Sequence, residues 1–235
     1  MPPALKAVFI DHDGTLVDSE RVHYELWRDV LAAHGLALPE EQYRRLYAGV
    51  PTLDNAADLV ARHALTLSAL ALAEEKRVAT RDYLARQAFP LMPGAKEAIA
   101  YFSAQGLRVA IVTGSSRHDV DATIRWHDLG ERVTDVVTGD DVRWNKPAPE
   151  CYQLALRRVA AAPDECVAIE DSEAGIAAAT GAGLACVAVP NPMSHRQDFS
   201  LASAVVPNIS EAVRWIDARF SSPLRQRSPL QTPPA

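Results

Sequence analysis

The sequence predicts an α/β fold in which a parallel sheet lies between two layers of helices, with an all-helical domain inserted after the first strand. An apolar run of strand formers, Val8 to Ile10, is followed at once by the carboxylates Asp11 and Asp13. Residues 18–87 are amphipathic and helical in pattern, without a strand-like run, and from Pro93 onward strands alternate with helices. Such alternation requires right-handed crossovers, which place helices on both faces of a parallel sheet.

The first strand predicts where a ligand binds. A continuous apolar run indicates a strand buried on both faces, and parallel sheets bind ligands at the carboxyl ends of their strands. Because residues i and i+2 of an extended chain share a face, Asp11 and Asp13 are expected to point together and His12 elsewhere. Two carboxylates this close repel unless a proton or cation lies between them. The pair therefore suggests a hard metal ion beside a nucleophile or an acid/base group.

The inserted stretch reads as four helices. Ser19 is expected to cap the first, whose apolar stripe is Val22, Leu26, Val30 and Leu31 and which ends at Gly35. The second helix opens at residues 39–41, and two more are expected at about 53–63 and 68–86.

The remaining chain supplies the rest of the core. Further strands are predicted at 108–112, 135–138, 166–169 and 186–189, with helices at 94–105, from 117 to about 129, at 150–159 and at 175–183. Residues 1–17 and 88–220 are thus assigned to the core domain and residues 18–87 to the helical domain. Residues 221–235, rich in Pro, Ser, Gln and Arg, are predicted to be a disordered tail.

Composition excludes several classes of partner. Of 235 residues, 48% are hydrophobic and 23% charged, the balance of a soluble globular protein. The net charge of −6, without a basic patch, argues against nucleic-acid binding, and no apolar run reaches membrane-span length. The three cysteines, Cys151, Cys166 and Cys186, lack metal-site spacing. Cys166 and Cys186 lie at the edges of apolar runs and are expected to be buried small hydrophobes, and a reducing cytoplasm is expected. A monomer or weak dimer is expected.

Four sets of polar residues lie at or just beyond the carboxyl ends of predicted strands. They are Asp11/Asp13, Thr113-Gly114-Ser115, Lys146 and Glu170-Asp171. Taken singly, each has an ordinary explanation as a turn, a helix cap or a solvated Lys before a helix-starting Pro. In one parallel sheet, however, they would meet at one edge. A nucleophile, a hydroxyl beside a small turn, a Lys and paired acids describe a phosphoryl-transfer site.

These motifs resemble the four motifs of the haloacid dehalogenase-like hydrolase superfamily. They read Asp11-His12-Asp13-Gly14-Thr15-Leu16, Thr113-Gly114-Ser115-Ser116, Lys146-Pro147-Ala148-Pro149-Glu150 and Glu170-Asp171-Ser172-Glu173-Ala174-Gly175. The helical insert resembles the cap of beta-phosphoglucomutases and sugar-phosphate phosphatases. The resemblance spans residues 5–220 and implies a three-layer Rossmann-like core carrying a helical cap.

The resemblance also implies roles for the acids. Asp11 would be the nucleophile that forms an aspartyl-phosphate, and Asp13 the group that protonates the leaving oxygen and then deprotonates water. Mg²⁺ would be held by Asp11, by the backbone carbonyl of Asp13 and by Asp171. Glu170 would hydrogen-bond a water on the metal.

The other motif residues would bind the phosphate. Thr113 and the Gly114 amide would contact phosphate oxygens, and Lys146 would neutralise charge. Resembling dehalogenases lack an acid at the position of Asp13, and phosphonate-cleaving relatives have a small residue there, so phosphate ester chemistry is what remains.

The insert is expected to select the substrate, a small phosphorylated metabolite. Candidate contacts are His23, Trp27, Gly49 and Thr52; the first two lie one helical turn apart, as in beta-phosphoglucomutases, although both could be ordinary packing residues. The mutases carry an Arg where this chain has Thr52, and a neutral hydroxyl cannot replace a guanidinium on a distal phosphate. Hydrolysis of a sugar or polyol phosphate is therefore predicted, with a beta-phosphoglucomutase-type phosphomutase as the alternative.

Two non-enzymatic classes fit the sequence less well. A phospho-acceptor signalling module would be roughly half as long, with no helical insert and no acid two residues after the acceptor. An inactive interaction protein on the same fold would usually have lost one of the four motif residues Asp11, Asp13, Lys146 and Asp171, and all four are present.

Overall fold

A parallel sheet of six strands organises the larger part of the chain in this computed structural model, which describes residues 4–220. The strands are β1 (Ala7–Ile10), β2 (Arg108–Val112), β3 (Asp135–Val137), β4 (Cys166–Glu170), β5 (Ala185–Ala188) and β6 (Ala204–Val205). Their order is β3-β2-β1-β4-β5-β6, and every neighbouring pair is parallel. The predicted α/β fold class, a Rossmann-like parallel sheet with helices, is confirmed.

The register of the central strands sets the binding edge. Ile10 of β1 is level with Ile111 of β2 and with Ile169 of β4, and all four residues of β1 are buried. The residues that follow these isoleucines therefore emerge at the same height. The backbone N–H of Asp11 continues the ladder by donating to the carbonyl of Ile169 at 3.0 Å.

The helices follow the predicted order. They are α1 (Ser19–Ala33), α2 (Glu40–Leu46), α3 (Thr52–His63), α4 (Ala69–Arg86), α5 (Ala95–Ala104), α6 (Arg117–Trp126), α7 (Glu150–Val159), α8 (Glu173–Gly181) and α9 (Ile209–Arg219). The strand β6 and the helix α9 were not identified from the sequence. β6 is only two residues long and partly exposed, so it leaves no apolar run to detect.

The chain divides into two compact units. Of the described residues, 4–17 and 91–220 form the core unit, and Asp18–Pro90 forms the helical unit. In the core unit, the backbone N–H of Met92 donates to the carbonyl of Leu16 at 2.9 Å. This bond joins the two segments of the core unit between which the helical unit is inserted in the sequence. The predicted disordered tail, 221–235, lies outside the described residues.

The start of α1 differs from the prediction. Ser19 is the first helical residue rather than the cap, and Asp18 precedes the helix without a side-chain capping bond. Ser19 is fully buried, and its hydroxyl has no hydrogen-bond partner among residues 4–220, so the capping role predicted for Ser19 is wrong. Trp27 is buried on the face that also carries Val22 and Leu31.

The core of the sheet is built from small and aromatic side chains. Phe9 of β1 and Tyr152 of α7 are both fully buried, with ring centroids 6.3 Å apart. The three cysteines are buried and free, and burial was predicted for Cys166 and Cys186. Among residues 4–220, no helix combines the length and the apolar character that crossing a membrane requires.

We expect Phe102→Ala to lower the free energy of unfolding by about 3–5 kcal/mol, because Phe102 of α5 is fully buried and its removal leaves a cavity. Leu201→Ala is the control, since Leu201 is 61% exposed and its truncation should cost no more than about 0.5 kcal/mol. Urea denaturation of both variants measures the difference. Equal effects of the two substitutions would contradict this account of the core.

Candidate active site

The carboxyl ends of β1, β2 and β4 bring the predicted groups together. Lys146, from the loop before α7, places its Nζ atom 2.5 Å from Oδ1 of Asp11 and 2.6 Å from Oε1 of Glu170. The same ammonium donates to the carbonyl of Val112 at the end of β2, at 2.9 Å. One cation therefore connects three strands at a single edge of the sheet.

Negative charge exceeds positive charge at this edge. Carboxylate oxygens of Asp11, Glu170 and Asp171 all lie within 4.8 Å of one another, and the three side chains are buried. Burial raises the pKa of Asp11 well above its ordinary value, and the charge of Glu170 adds to this, although Lys146 opposes it. Burial and Glu170 likewise raise the pKa of Asp171 to about 7, against a hydrogen bond from Ser194.

Burial has the opposite effect on the pKa of the lysine. Burial alone would lower the pKa of Lys146, but the charges of Asp11 and Glu170 outweigh burial and raise it, so the ammonium stays protonated. One ammonium does not balance three buried carboxylates. Carboxylate oxygens are the ligands that Mg²⁺ and other hard divalent cations prefer, so this donor set and its uncompensated charge fit such a cation.

Asp13 lies outside this group of three carboxylates. Its Oδ2 atom accepts a short hydrogen bond from the Ser115 hydroxyl and a longer one of 3.3 Å from Thr113. The Asp13 side chain is 28% exposed, whereas that of Asp11 is 7% exposed. Asp13 is thus the more accessible of the two acids, which suits proton exchange with a ligand or water. The atom of Asp13 that is expected to bind a metal ion is its backbone carbonyl oxygen.

His12 does not point away from Asp13 as the sequence predicted. Its buried ring has Nδ1 3.2 Å from Oδ2 of Asp13 and Nε2 2.9 Å from the Thr123 hydroxyl of α6. β1 ends at Ile10, and the backbone N–H groups of both Leu16 and Val17 donate to the His12 carbonyl. The chain therefore turns at His12, and the alternation of an extended strand no longer applies.

The charge of Asp13 also determines how His12 titrates. Burial would lower the pKa of His12, but the charge of Asp13 and the hydrogen bond to it outweigh burial and raise that pKa. Thr123 donates its own hydroxyl proton to the carbonyl of Asp119 at 3.2 Å, so its hydroxyl oxygen accepts a hydrogen bond from Nε2 of His12. The histidine thereby ties α6 to the second acid.

Two glycines make room for the carboxylates. Gly14 has a φ of +80°, and a Cβ atom there would lie 2.5 Å from Oδ2 of Asp171. A Cβ atom at Gly175 would lie 2.0 Å from Oε2 of Glu170. Both positions require a residue without a side chain because the acids occupy that space.

The predicted phosphate-binding residues lie at the same edge. Thr113 directly follows β2, is buried, and accepts a hydrogen bond from the backbone N–H of Ser115 at 3.0 Å. Gly114 lies between them. A Cβ atom placed on Gly114 would have Asn145 as its nearest neighbour, at 3.8 Å. This turn and Lys146 together offer hydroxyl, amide and ammonium donors.

Three residues at the edge were missed from the sequence: Tyr152, Asn191 and Ser194, of which Ser194 is buried and hydrogen-bonds Asp171. Tyr152 of α7 donates its hydroxyl to Oε1 of Glu170 at 2.7 Å, and no sequence pattern marks a tyrosine within an amphipathic helix as such a partner. Asn191 donates to Oδ2 of Asp171 at 2.7 Å. Asn191 closely follows β5, so the rule that identified the other polar groups after strands would have found it.

In the helical unit, two predicted residues surround a third that was missed. Lys76 of α4 is only 2% exposed, and its Nζ atom lies 3.2 Å from Nδ1 of His23 and 3.0 Å from the Thr80 hydroxyl. The same ammonium lies 5.8 Å from the centre of the Trp27 ring. His23 and Trp27 thus do converge, on a buried lysine.

The other two predicted residues of the helical unit lie elsewhere in it. Gly49 is exposed with a φ of +72°, and its backbone N–H donates to Oε1 of Glu20 at 3.2 Å. Thr52 is half-buried and is the first residue of α3.

Several known proteins are similar to this chain. CbbY from Rhodobacter capsulatus is 35% identical over 220 residues, covering 88% of this chain and 95% of that protein. Fructose-1-phosphate phosphatase YqaB from Escherichia coli K12 is 34% identical over 185 residues, covering 77% of this chain and 95% of its own. A crystal structure of a CbbY variant from Rhodobacter sphaeroides, in complex with xylulose-(1,5)bisphosphate, matches with a TM-score of 0.74 and 29% identity over 90% of this chain and 96% of that one.

A family model supports the same assignment over most of the chain. The model of the haloacid dehalogenase-like hydrolases matches residues 5–183, which include all four motifs and the helical insert. The sheet order and the convergence of the motif residues at one edge agree with this match. The chain therefore belongs to the haloacid dehalogenase-like hydrolase family and is an enzyme of the hydrolase class.

Proposed function

We propose that this protein is a phosphatase that hydrolyses a small phosphate monoester, a sugar or polyol phosphate, through an aspartyl-phosphate on Asp11. The observation that carries the proposal is the pairing of a buried carboxylate bound to an ammonium, Asp11 with Lys146, with a second, more exposed acid two residues later, Asp13. A nucleophile held in line and an acid that can exchange protons are what two-step phosphate transfer needs.

In the first step, an oxygen of Asp11 forms a bond to phosphorus as the ester oxygen leaves. Asp13 gives its proton to that oxygen, so the alcohol departs neutral. In the second step, a water attacks phosphorus, Asp13 takes the water's proton, and the bond between phosphorus and the Asp11 oxygen breaks. Inorganic phosphate is released and both acids return to their starting states.

The neighbours of Asp13 support this proton transfer. Ser115 and Thr113 donate hydroxyl hydrogen bonds to Oδ2 of Asp13, and His12 contacts the same oxygen. These contacts hold the carboxyl group in one orientation, which favours repeated proton transfer at the same place. Lys146 lowers the cost of bringing an anionic nucleophile to an anionic phosphate.

A divalent cation, Mg²⁺, completes the proposed site. Asp11, Asp171 and the backbone carbonyl of Asp13 would hold it, and Glu170 would orient the surrounding hydrogen bonds through Lys146 and Tyr152. When bound, Mg²⁺ supplies charge neutralisation for the phosphate and for the reacting oxygens.

The substrate class rests on two arguments. The relatives include a protein named for its action on fructose 1-phosphate and one crystallised with a sugar bisphosphate, which supports a phosphorylated sugar here. Thr52 stands where resembling mutases carry the Arg for a distal phosphate, so hydrolysis is favoured over isomerisation. Free, buried cysteines agree with the proposal of a reducing, cytoplasmic setting.

We expect Asp11→Asn to lower phosphatase turnover by a factor on the order of 10³ or more while the protein stays folded, because the amide cannot act as the nucleophile. Release of inorganic phosphate measures turnover, and circular dichroism with urea denaturation checks the fold. Asp164→Asn, an exposed residue at the opposite edge of the sheet, is the control. Full activity of Asp11→Asn would rule out the nucleophile assignment.

A panel of sugar and polyol phosphates distinguishes hydrolysis from isomerisation. With Mg²⁺ present, we expect stoichiometric release of inorganic phosphate from at least one substrate, with no requirement for a bisphosphate activator. Phosphate assays and chromatography of the sugar products measure both outcomes. Isomerisation that depends on glucose 1,6-bisphosphate, without phosphate release, would instead identify a phosphomutase.

The acidic cluster predicts how the metal-free protein responds to pH. The pKa of Asp171 rises from its ordinary value of 3.8 to about 7 on folding, so the folded state binds the proton more tightly than the unfolded state. The free energy of unfolding should then decrease as pH rises from about 4 to 7, by up to about 1.4 kcal/mol for each pH unit. Asp11 acts in the same direction.

Urea denaturation in the presence of a chelator tests this dependence. Asp171→Asn should flatten the pH profile, and Mg²⁺ added at pH 7.5 should restore stability to the unsubstituted protein because the cation favours the charged carboxylates. A profile that rises between pH 4 and 7, or is unaffected by Asp171→Asn, would refute this account of the cluster.

A further inference from the structure

The loop that follows β5 directs a side-chain amide at the acidic cluster. Asn191 donates from Nδ2 to Oδ2 of Asp171 at 2.7 Å and to the backbone carbonyl of Gly14 at 3.0 Å. An amide nitrogen carries two protons, so each of these two acceptors takes one. Asn191 thereby bridges the end of β4 and the loop after β1.

The orientation of this amide is fixed by its own loop. The Oδ1 atom of Asn191 accepts from the backbone N–H groups of Met193 at 2.7 Å and Ser194 at 3.2 Å. If the amide were flipped, its nitrogen would face two donors and its oxygen would face a carboxylate and a carbonyl. Only one orientation satisfies all four neighbours, so the amide protons must point at the cluster.

The same loop adds a second contact to the acid. The backbone N–H of Asn191 donates to the hydroxyl of Ser194 at 3.1 Å, and Ser194 is buried and hydrogen-bonds Asp171. Two neutral side chains from one turn therefore hold the Asp171 carboxylate. Neither contributes a positive charge that would compete with a cation.

We propose that Asn191 is a positioning residue of the cation site: it holds Oδ2 of Asp171 so that the other carboxylate oxygen, Oδ1, is presented to a divalent cation. The inference rests on the proposed function, which assigns Asp171 as a ligand. Asn191 also fixes the carbonyl of Gly14, the neighbour of Asp13, whose own carbonyl is a proposed ligand. One side chain thus sets the spacing of two ligand-bearing segments.

The arrangement suits metal binding better than it suits loop stability alone. Within the turn at residues 191–194, the side chain of Asn191 uses only its Oδ1 atom, and a serine or aspartate at that position would also accept those backbone bonds. The NH₂ half makes no bond within its own loop and reaches two other segments. Partners that orient a ligand in this way commonly change metal affinity by 10–100-fold when they are removed.

The test measures Mg²⁺ binding to the chelator-treated full chain by isothermal titration calorimetry at pH 7.5. Asn191→Ala should raise the dissociation constant for Mg²⁺ by roughly 10–100-fold. The matched control is Asn208→Ala. Asn208 caps α9 by accepting a hydrogen bond from the backbone N–H of Glu211 at 3.0 Å, and it lies outside the acidic cluster. The dissociation constant of the control for Mg²⁺ should lie within about twofold of that of the unsubstituted protein.

A second variant separates positioning from loop structure. Asn191→Ser can still accept the backbone bonds of its turn, but its short hydroxyl cannot donate to both Asp171 and Gly14, so Mg²⁺ affinity should again fall. Circular dichroism establishes that each variant is folded. If Asn191→Ala is unfolded, Asn191→Ser decides the question.

Several results would overturn the proposal. They are Mg²⁺ affinity of the folded variants equal to that of the unsubstituted protein, an equal loss in Asn208→Ala, or unfolding of both Asn191 variants, which would make the residue structural. Failure of the unsubstituted protein to bind Mg²⁺ would instead remove the cation site, and both proposals with it. Phosphatase activity is not needed for any of these readings.

Discussion

The ammonium of Lys146 between Asp11 and Glu170 is the interaction on which the rest of the site depends. The three groups come from separate segments, and they meet only because β1, β2 and β4 are in register at Ile10, Ile111 and Ile169. Burying any of these charges alone would be costly, so each is stable only with the others in place. The register of an apolar sheet is thus what makes a charged edge possible.

Lys146 does not complete the charge balance, and three of the acids also have an uncharged hydrogen-bond donor. Tyr152 holds Glu170, Asn191 holds Asp171, and Ser115 holds Asp13, each by hydrogen bonds without a formal charge. Neutral donors orient a carboxylate while leaving its charge available. An edge built in this way stays short of positive charge, which opposes folding of the metal-free protein and favours binding of a cation.

Long-range order was more predictable from the sequence than local geometry. Alternating strand and helix patterns gave the sheet, and polar residues after strands gave Asp11, Thr113 and Glu170 at one edge, because parallel strands must end together. The predictions for His12 and Ser19 were wrong because each role depends on the exact residue at which a strand ends or a helix begins. Tyr152 and Lys76 carry no sequence signal, since their roles follow from packing against residues distant in the chain.

The proposed function assigns bond chemistry and substrate selection to different parts of this chain. Every side chain proposed to form or break a bond lies in the core unit. The helical unit has its own buried centre, the ammonium of Lys76 held by His23 and Thr80 and facing Trp27. Under the proposed function, Thr52 in place of the phosphate-binding Arg of resembling mutases would change which ester is accepted while the carboxylate chemistry stays the same. It is accordingly Thr52, and not the acids, that favours hydrolysis over isomerisation in the proposed function.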